Sequence, residues 1–120
     1  MKKEYEELLN RAEKEFDTFS LVWRDQLKYD NSASDIEKEL LPYLVRTERT
    51  NEWPGTKLEG SMATVRWYTV TPESVSILRS GENSFDWLGP SHPEDLAFYK
   101  GGRLVYGSIA HERDEWYPEG

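Results

Sequence analysis

The sequence has 120 residues, no cysteine and a formal net charge of −8, so it fits a single domain (residues 1–120) and excludes disulfides, thiolate metal sites and cysteine nucleophiles. Hydrophobic residues reach only 37%, but 13% of the chain is aromatic, with five tryptophans and seven tyrosines, enough to build a core. The acidic charge opposes nucleic-acid binding, and no apolar run approaches the roughly 20 residues of a membrane span, so we expect a cytoplasmic protein without nucleic-acid or membrane partners.

The first predicted element is a helix over residues 3–16, because apolar side chains recur there at the spacing of one helix face. These side chains are Tyr5, Leu8, Leu9, Ala12 and Phe16. Residues 18–29 fit either a continued helix or a strand, since their apolar residues also alternate. We favour a strand or short hairpin, because Asp17 and Thr18 cap and turn more readily than they continue a helix.

A second helix is predicted after a loop that begins at Tyr29. Ser34-Asp35-Ile36-Glu37 has the form of a capping box, and the helix should run to about Leu41, just before a proline. The segment from Leu44 to Trp53 is predicted to be extended. It leads into Trp53-Pro54-Gly55-Thr56, which has proline and glycine at the two central positions of a type II turn.

The clearest strand runs from Met62 to Val70, where apolar residues alternate. Thr71-Pro72-Glu73 then places a capping residue before a proline and predicts a short helix that ends near Gly81. A strand over residues 74–78 is the alternative, because apolar residues alternate there too. The acidic tail, residues 114–120, is expected to fray.

The stretch from Trp87 to Glu112 organises the second half of the chain. Two apolar runs flank Gly101-Gly102, which predicts a β-hairpin. The two histidines of the chain, His92 and His111, lie before the hairpin and at its end. Together, the predicted elements of the chain are two or three helices and four to six strands. They predict an α+β fold, an antiparallel sheet with two or three helices packed on one face and a C-terminal β-hairpin.

No catalytic or metal site is predicted, and no cofactor. The two histidines have no spacing typical of metal ligands, and a surface or packed role is favoured for each. Ser108 lacks the flanking glycine pattern of a nucleophile elbow. The acidic pair Glu94-Asp95 is interpreted as part of a solvated face, because 23 acidic residues in 120 produce such pairs by chance.

Binding residues are predicted from the aromatic excess, because tryptophan, tyrosine and arginine anchor interfaces. Arginines beside tryptophans in the middle of the chain could also hold a small anion or a base by stacking and charge; these are Arg46, Arg49, Arg66 and Arg79. The candidate binding residues are Trp53, Arg66, Trp67, Trp87, His92, Tyr99, Tyr106 and His111.

Several segments of the chain resemble one protein family. The segments are Trp53-Pro54-Gly55-Thr56, Trp87, Pro93-Glu94-Asp95-Leu96, Phe98-Tyr99 and Ile109-Ala110-His111-Glu112. They are similar to a family of small bacterial proteins of about this length and of unknown activity, some of which carry the label of a sporulation-stage protein. The likeness covers nearly the whole chain. It implies a bacterial cytoplasmic protein and brings no catalytic residues.

Three functions follow from these observations, in order of preference. The first is a module of the immunity, antitoxin or inhibitor type that binds a protein partner, which the acidic ends of the chain suggest is basic. The second is a small-ligand or nucleotide binder with a pocket lined by arginine and tryptophan. The third is a small hydrolase that uses His92 or His111 with nearby carboxylates. An enzyme is less favoured than a binding protein.

Overall fold

A computed structural model describes residues 1–118, in which helices and an antiparallel sheet share one hydrophobic core. The helices are α1 (Lys3–Glu15), α2 (Asn31–Leu40) and α3 (Pro72–Leu78), with 3-10 turns at Leu41–Tyr43, Ser84–Asp86 and Ala110–Glu112. The strands are β1 (Thr18–Arg24), β2 (Leu44–Thr50), β3 (Glu52–Trp53), β4 (Thr56–Lys57), β5 (Ala63–Thr69), β6 (Glu94–Lys100), β7 (Arg103–Ile109) and β8 (Asp114–Trp116). Within residues 1–118, no helix has the length and apolar character needed to cross a membrane.

The main sheet has the strand order β2-β5-β1-β6-β7-β8, and all its pairs are antiparallel. The α+β prediction, with its helices on one sheet face and its C-terminal hairpin, is confirmed. Strand β1 lies between β5 and β6, which decides the ambiguous start of residues 18–29 in favour of a strand. The number of strands was predicted too low, since β3, β4 and β8 have only two or three residues each.

One core joins the helices to the sheet. Side chains of α1, α2 and α3 pack on the same face of β1, β5, β6 and β7. The tyrosine hydroxyl of Tyr5 donates to the Leu78 carbonyl at 2.6 Å and accepts from Trp87 Nε1 at 2.7 Å. These bonds tie α1 to α3 and to the segment before β6. The fully buried aromatic side chains are Trp87, Tyr5, Tyr68, Tyr106, Phe19 and Phe98.

The predicted turns and caps are mostly confirmed. Gly55 has a φ of +85°, as the third residue of a type II turn requires, and β3 pairs with β4 around it. Thr71 caps α3, because its side chain accepts from the Ser74 amide at 2.9 Å. The cis peptide bond in the described chain is Gly89–Pro90, so the peptide bond between Trp53 and Pro54 is trans.

Two local predictions are wrong. The second helix is capped by Asp30, whose carboxylate accepts from the amides of Ser32 and Ala33, and not by Ser34, because an earlier acidic side chain already satisfies the free amides. The fraying expected for residues 114–120 does not extend to Asp114–Trp116, which pairs with β7. Residues 119 and 120 lie outside the described part of the chain.

The sheet face turned away from the helices is only partly covered. The β3–β4 hairpin places Trp53 on this outer face, where it forms a second, smaller core with Val22, Ala63 and Val65. That cover lies over the end of β1 and the start of β5. At the other end of the same strands, none of the described residues covers the face, and the candidate site lies there.

Candidate functional site

A groove lies on the open part of the outer face and is called the aromatic groove here. It encloses about 300 Å³ and is lined by Thr18, Val45, Arg46, Trp67, Tyr99 and Gly102. Two of these, Trp67 and Tyr99, are among the binding residues predicted from the sequence. Gly102 belongs to the turn between β6 and β7, so the Gly-Gly hairpin closes one end of the groove.

The strand register explains why a groove forms here. In β1, Thr18 lies opposite Tyr99 of β6, and Ser20 lies opposite Trp67 of β5. The central strand therefore presents two small side chains between two large aromatic ones. Because residues directly opposite in an antiparallel pair share a face, the aromatic rings rise on both sides of a low floor.

Arg46 and Tyr99 give the groove its polar groups. The Arg46 guanidinium carbon lies 4.3 Å from the centre of the Trp67 ring, a cation–π distance, and the guanidinium also lies 3.2 Å from Glu48 Oε2. The Tyr99 hydroxyl lies 3.0 Å from Ser20 Oγ. Burial raises the pKa of Tyr99, against the opposing effect of hydrogen bonds with Ser20 and Trp67, so the hydroxyl stays neutral. The groove can therefore stack a planar group and attract a negative one.

Charge is divided between the two layers of the protein. The three helices carry nine acidic and four basic side chains, whereas the six strands of the main sheet carry six basic and five acidic ones. Two of those five acidic side chains, Glu94 and Asp95, are buried. The helical layer is therefore acidic, and the sheet that holds the groove is not.

A second polar site lies under the β3–β4 hairpin and is called the Asp95 cluster; it is formed by Arg24, Tyr29, Trp53, Glu94 and Asp95. Arg24 Nε lies 3.0 Å from Glu94 Oε1, and Arg24 Nη2 lies 3.6 Å from Asp95 Oδ2. Both carboxylate residues are only 2% exposed. The interpretation of Glu94-Asp95 as a solvated face is therefore wrong, because these side chains point inward to an arginine 70 residues earlier in the chain.

Asp95 joins three segments that are distant in sequence. Its Oδ2 accepts from Trp53 Nε1 at 2.8 Å, and its Oδ1 accepts from the Ala110 amide at 2.9 Å. The residue has a φ of +55°, a conformation that costs energy in a non-glycine residue and persists only where the surroundings hold it. With both oxygens bonded and the residue buried, Asp95 is placed to fix the fold and is closed to a substrate.

Glu94 has a different environment from its neighbour. Its Oε2 accepts from the Gly89 amide at 3.3 Å, and the Tyr29 hydroxyl donates to its Oε1 at 3.5 Å. Burial raises the pKa of Glu94, although the Gly89 hydrogen bond and Arg24 oppose the shift. Burial likewise raises the pKa of Tyr29, to about 12. The cluster thus contains one carboxyl group that takes up a proton more readily than a solvated glutamate.

The other predicted binding residues do not reach the aromatic groove. Trp87 and Tyr106 are fully buried in the main core, and Trp53 belongs to the Asp95 cluster. Arg66 lies on the helix side, 4.8 Å from the Trp23 ring centre and 3.6 Å from Glu37. Most of the predicted aromatic residues therefore build the core, and only Trp67 and Tyr99 among them line the aromatic groove.

Neither histidine belongs to a hydrogen-bonded catalytic arrangement in residues 1–118. His92 packs edge-on against Trp87 with ring centres 5.0 Å apart, and burial lowers its pKa. His111 is exposed, with Nε2 3.5 Å from Glu112 Oε2. No group of three or more potential ligands in the described residues is placed to hold a metal ion.

Some functional residues were missed by sequence reasoning. Arg24 and Tyr29 carry no motif, and their partners lie in β6, about 70 residues later. Arg46 was noted as one of several arginines near tryptophans, but nothing in the sequence distinguished it from Arg49, which binds Asp25 instead with Nη2 2.5 Å from Oδ2. The small residues of β1 that form the groove floor gave no signal.

Comparison with known proteins gives no relative: no family model matches the chain, and no similar protein was found among curated proteins or solved structures. The resemblance to a family of small bacterial proteins therefore stays a prediction. Three of the segments on which it rests meet in space, because Trp53, Asp95 and Ala110 are joined by the hydrogen bonds of the Asp95 cluster.

Proposed function

We propose that this protein is a small interaction module of the immunity, antitoxin or inhibitor type, which binds a protein partner through the aromatic groove. One observation carries the proposal: Arg46 lies over the Trp67 ring beside Tyr99, in a part of the sheet that no other segment of residues 1–118 covers. Arginine, tryptophan and tyrosine are the residue types that contribute most binding energy in protein interfaces.

The groove suits an anchoring side chain of the partner. Its walls are aromatic rings held by the sheet, so binding costs little conformational entropy. Arg46 is 60% exposed in its side chain, so it can turn towards an incoming group. We expect the anchor to be an aromatic side chain or a carboxylate.

The long-range charge supports a basic partner. The net charge of −8 and the acidic helical layer would speed encounter with a positively charged protein at low salt. The groove then acts at contact distance, where stacking and the Arg46 charge decide specificity. The two effects are separable, because salt weakens the first far more than the second.

The experiment is an affinity capture with a photo-crosslinking residue in place of Val45, which lines the groove and is 58% exposed. Lysate of the source organism is passed over the crosslinking protein, its Trp67→Ala form and a Tyr117→Ala control. Tyr117 is 43% exposed and lies away from the groove, against α1. We expect one stoichiometric crosslinked protein, lost with Trp67→Ala and kept with Tyr117→Ala. The proposal is contradicted if the Trp67→Ala form captures the partner equally well, or if no stoichiometric crosslink forms.

A second candidate is a small ligand with a planar base or an anionic group. The observation that favours it is the size of the groove, about 300 Å³, at the lower end of small-molecule sites. A ligand at a hundred times its dissociation constant stabilises the fold by about 2.7 kcal/mol. Thermal-shift screening with nucleotides, repeated on Trp67→Ala, distinguishes this candidate from a protein partner.

A further inference from the structure

Strand β2 is a free edge of the main sheet. It pairs with β5 on one side, and among the described residues no backbone group outside β5 hydrogen-bonds to the backbone of residues 45–50. All five residues between its two ends are exposed. An edge of this kind presents unpaired amide and carbonyl groups and can accept a further strand. The opposite edge, β8, has only three residues, two of them acidic.

We propose that β2 pairs antiparallel with β2 of a second copy of this chain, about a two-fold axis that passes through Thr47. The proposal does not rest on the proposed function, because it depends on the pairing edge of the sheet; of its charged residues, it shares only Arg46 with the lining of the aromatic groove. The charges of the strand identify a second copy as the partner of this edge. Arg46 and Glu48 lie on either side of Thr47, so a two-fold axis through Thr47 places Arg46 of one copy opposite Glu48 of the other.

The side chains that must meet lie on the same face. In the register with β5, Arg46 is opposite Trp67 and Glu48 is opposite Val65, and both of those residues belong to the outer face. The contact of 3.2 Å between Arg46 Nη2 and Glu48 Oε2 agrees with this placement. In the paired strands, Arg46 of each copy lies directly across from Glu48 of the other, so the charge pattern is self-complementary.

Neighbouring registers are less favourable. An axis at Arg46 sets two arginines directly opposite each other, and an axis at Glu48 does the same with two glutamates. Like charges in that position destabilise a strand pair, and opposite charges stabilise it by about 0.2–1 kcal/mol. Because an axis at Thr47 gives two opposite-charge pairs and sets only the neutral Thr47 against itself, the charges select one register.

The proposed pairing between the two β2 strands is short. The β2 register shifts between Leu44 and Arg46, which marks a bulge at Val45 and limits regular pairing to the centre of the strand. An interface built on this strand falls in the small size class, where association is weak. With the axis perpendicular to the sheet, the two aromatic grooves open on the same face of one continuous sheet.

The test is sedimentation equilibrium of the full chain from about 1 µM to about 1 mM, the range of weak dissociation constants. We expect the average mass to rise with concentration from that of one chain towards that of two. Glu48→Arg should weaken association at least about tenfold, because both symmetry-related pairs become repulsive. The double exchange of Arg46→Glu with Glu48→Arg should restore it, because opposite charges again face each other.

The controls separate this interface from general charge effects and from the groove. Glu39→Arg changes charge equally on an exposed turn of α2 and should leave association unchanged. Thr47→Lys sets two like charges on the axis and should abolish it. A chain that stays monomeric at every concentration, or a double exchange that associates no better than Glu48→Arg, overturns the proposal. Glu48→Arg leaves the groove lining intact, so loss of the dimer and loss of partner binding are distinguishable.

Discussion

The indole nitrogen of Trp53 donates a hydrogen bond to Asp95 Oδ2 at 2.8 Å, across 42 residues of sequence. This bond joins the small hairpin on the outer face to the start of β6. Arg24 lies against both groups, with its guanidinium carbon 5.2 Å from the Trp53 ring centre. The outer face is therefore covered at one end by a buried polar cluster and left open at the other.

Replacement of Asp95 tests how far the fold depends on this cluster. Asp95→Ala leaves the Trp53 indole nitrogen and the Ala110 amide without their acceptor, whereas Arg24 keeps Glu94 as its ion-pair partner. Each buried donor left unsatisfied costs about 1–3 kcal/mol, so the variant should lose about 2–6 kcal/mol. Urea unfolding should show that loss. Asp95→Asn should lose less, because asparagine tolerates a positive φ and keeps one acceptor. Asp35→Ala on the exposed side of α2 should stay within about 0.5 kcal/mol of the unchanged chain.

The raised pKa of Glu94 predicts that the contribution of this side chain to stability falls as the pH rises, the opposite of what an ion-paired carboxylate with a lowered pKa gives. Because its pKa is raised in the folded protein from an ordinary value of 4.5, the folded state binds more protons than the unfolded chain between that value and the raised one. The contribution of this group to stability is therefore greatest below about pH 4.5 and is lost as the pH rises through the raised pKa. The free energy of unfolding of the unchanged chain minus that of Glu94→Gln should fall over this interval.

The measurement is urea unfolding of both chains in steps of pH from mildly acidic to neutral. Glu39→Gln, at an exposed position of α2, serves as the control and should give a difference that does not vary with pH. A stability difference for Glu94 that grows with pH would contradict this prediction, because it would mean that the attraction of Arg24 outweighs the burial of the carboxyl group.

Two tyrosines form a matched pair for the hydrogen bonds of the core. The Tyr68 hydroxyl is buried and has no hydrogen-bond partner in the described part of the chain, so Tyr68→Phe should leave stability unchanged or raise it by about 1 kcal/mol. The Tyr5 hydroxyl makes two hydrogen bonds, so Tyr5→Phe should cost about 1–3 kcal/mol. Thermal unfolding of the two variants measures both. Equal effects would contradict the assignment of their partners.

Gly107 lies opposite Trp116 in the pairing of β7 with β8, and its lack of a side chain leaves room for the Trp116 ring. A Cβ atom at Gly107 would lie 2.5 Å from the Trp116 ring, closer than packed atoms approach. Gly107→Ala should therefore cost about 1–3 kcal/mol by overpacking and should change the fluorescence of the indole. In a Trp116→Ala chain the same substitution should cost little. A double-mutant cycle measures this coupling, and additive effects would contradict it.

Local patterns predicted the local parts of the fold. The spacing of apolar residues in α1, the Thr71 cap of α3 and the Gly-Gly hairpin each depend on residues within a few positions, so the sequence displays them directly. The strand from Thr18 was ambiguous because its conformation is decided by pairing with β5 and β6, which lie far along the chain. The strand β8 was missed because its pairing with β7 and the packing of Trp116 on Gly107 outweigh its acidic composition.

Only part of the candidate site could be predicted from the sequence, for the same reason. Trp67 and Tyr99 stood out as aromatic residues, but their common groove depends on the small side chains of Thr18 and Ser20 between them, and that placement follows from strand register. The burial of Glu94-Asp95 depends on Arg24 in β1. No local pattern encodes a contact of that separation, so the pair was interpreted from composition alone.

The proposed binding at the aromatic groove is tested most directly by the affinity of the purified partner. Calorimetric titration of the captured partner with the unchanged chain, Trp67→Ala and Tyr117→Ala gives three dissociation constants. An anchor residue contributes about 2 kcal/mol or more, so Trp67→Ala should weaken binding about thirtyfold while Tyr117→Ala leaves it unchanged. Equal dissociation constants for all three chains would contradict the proposal.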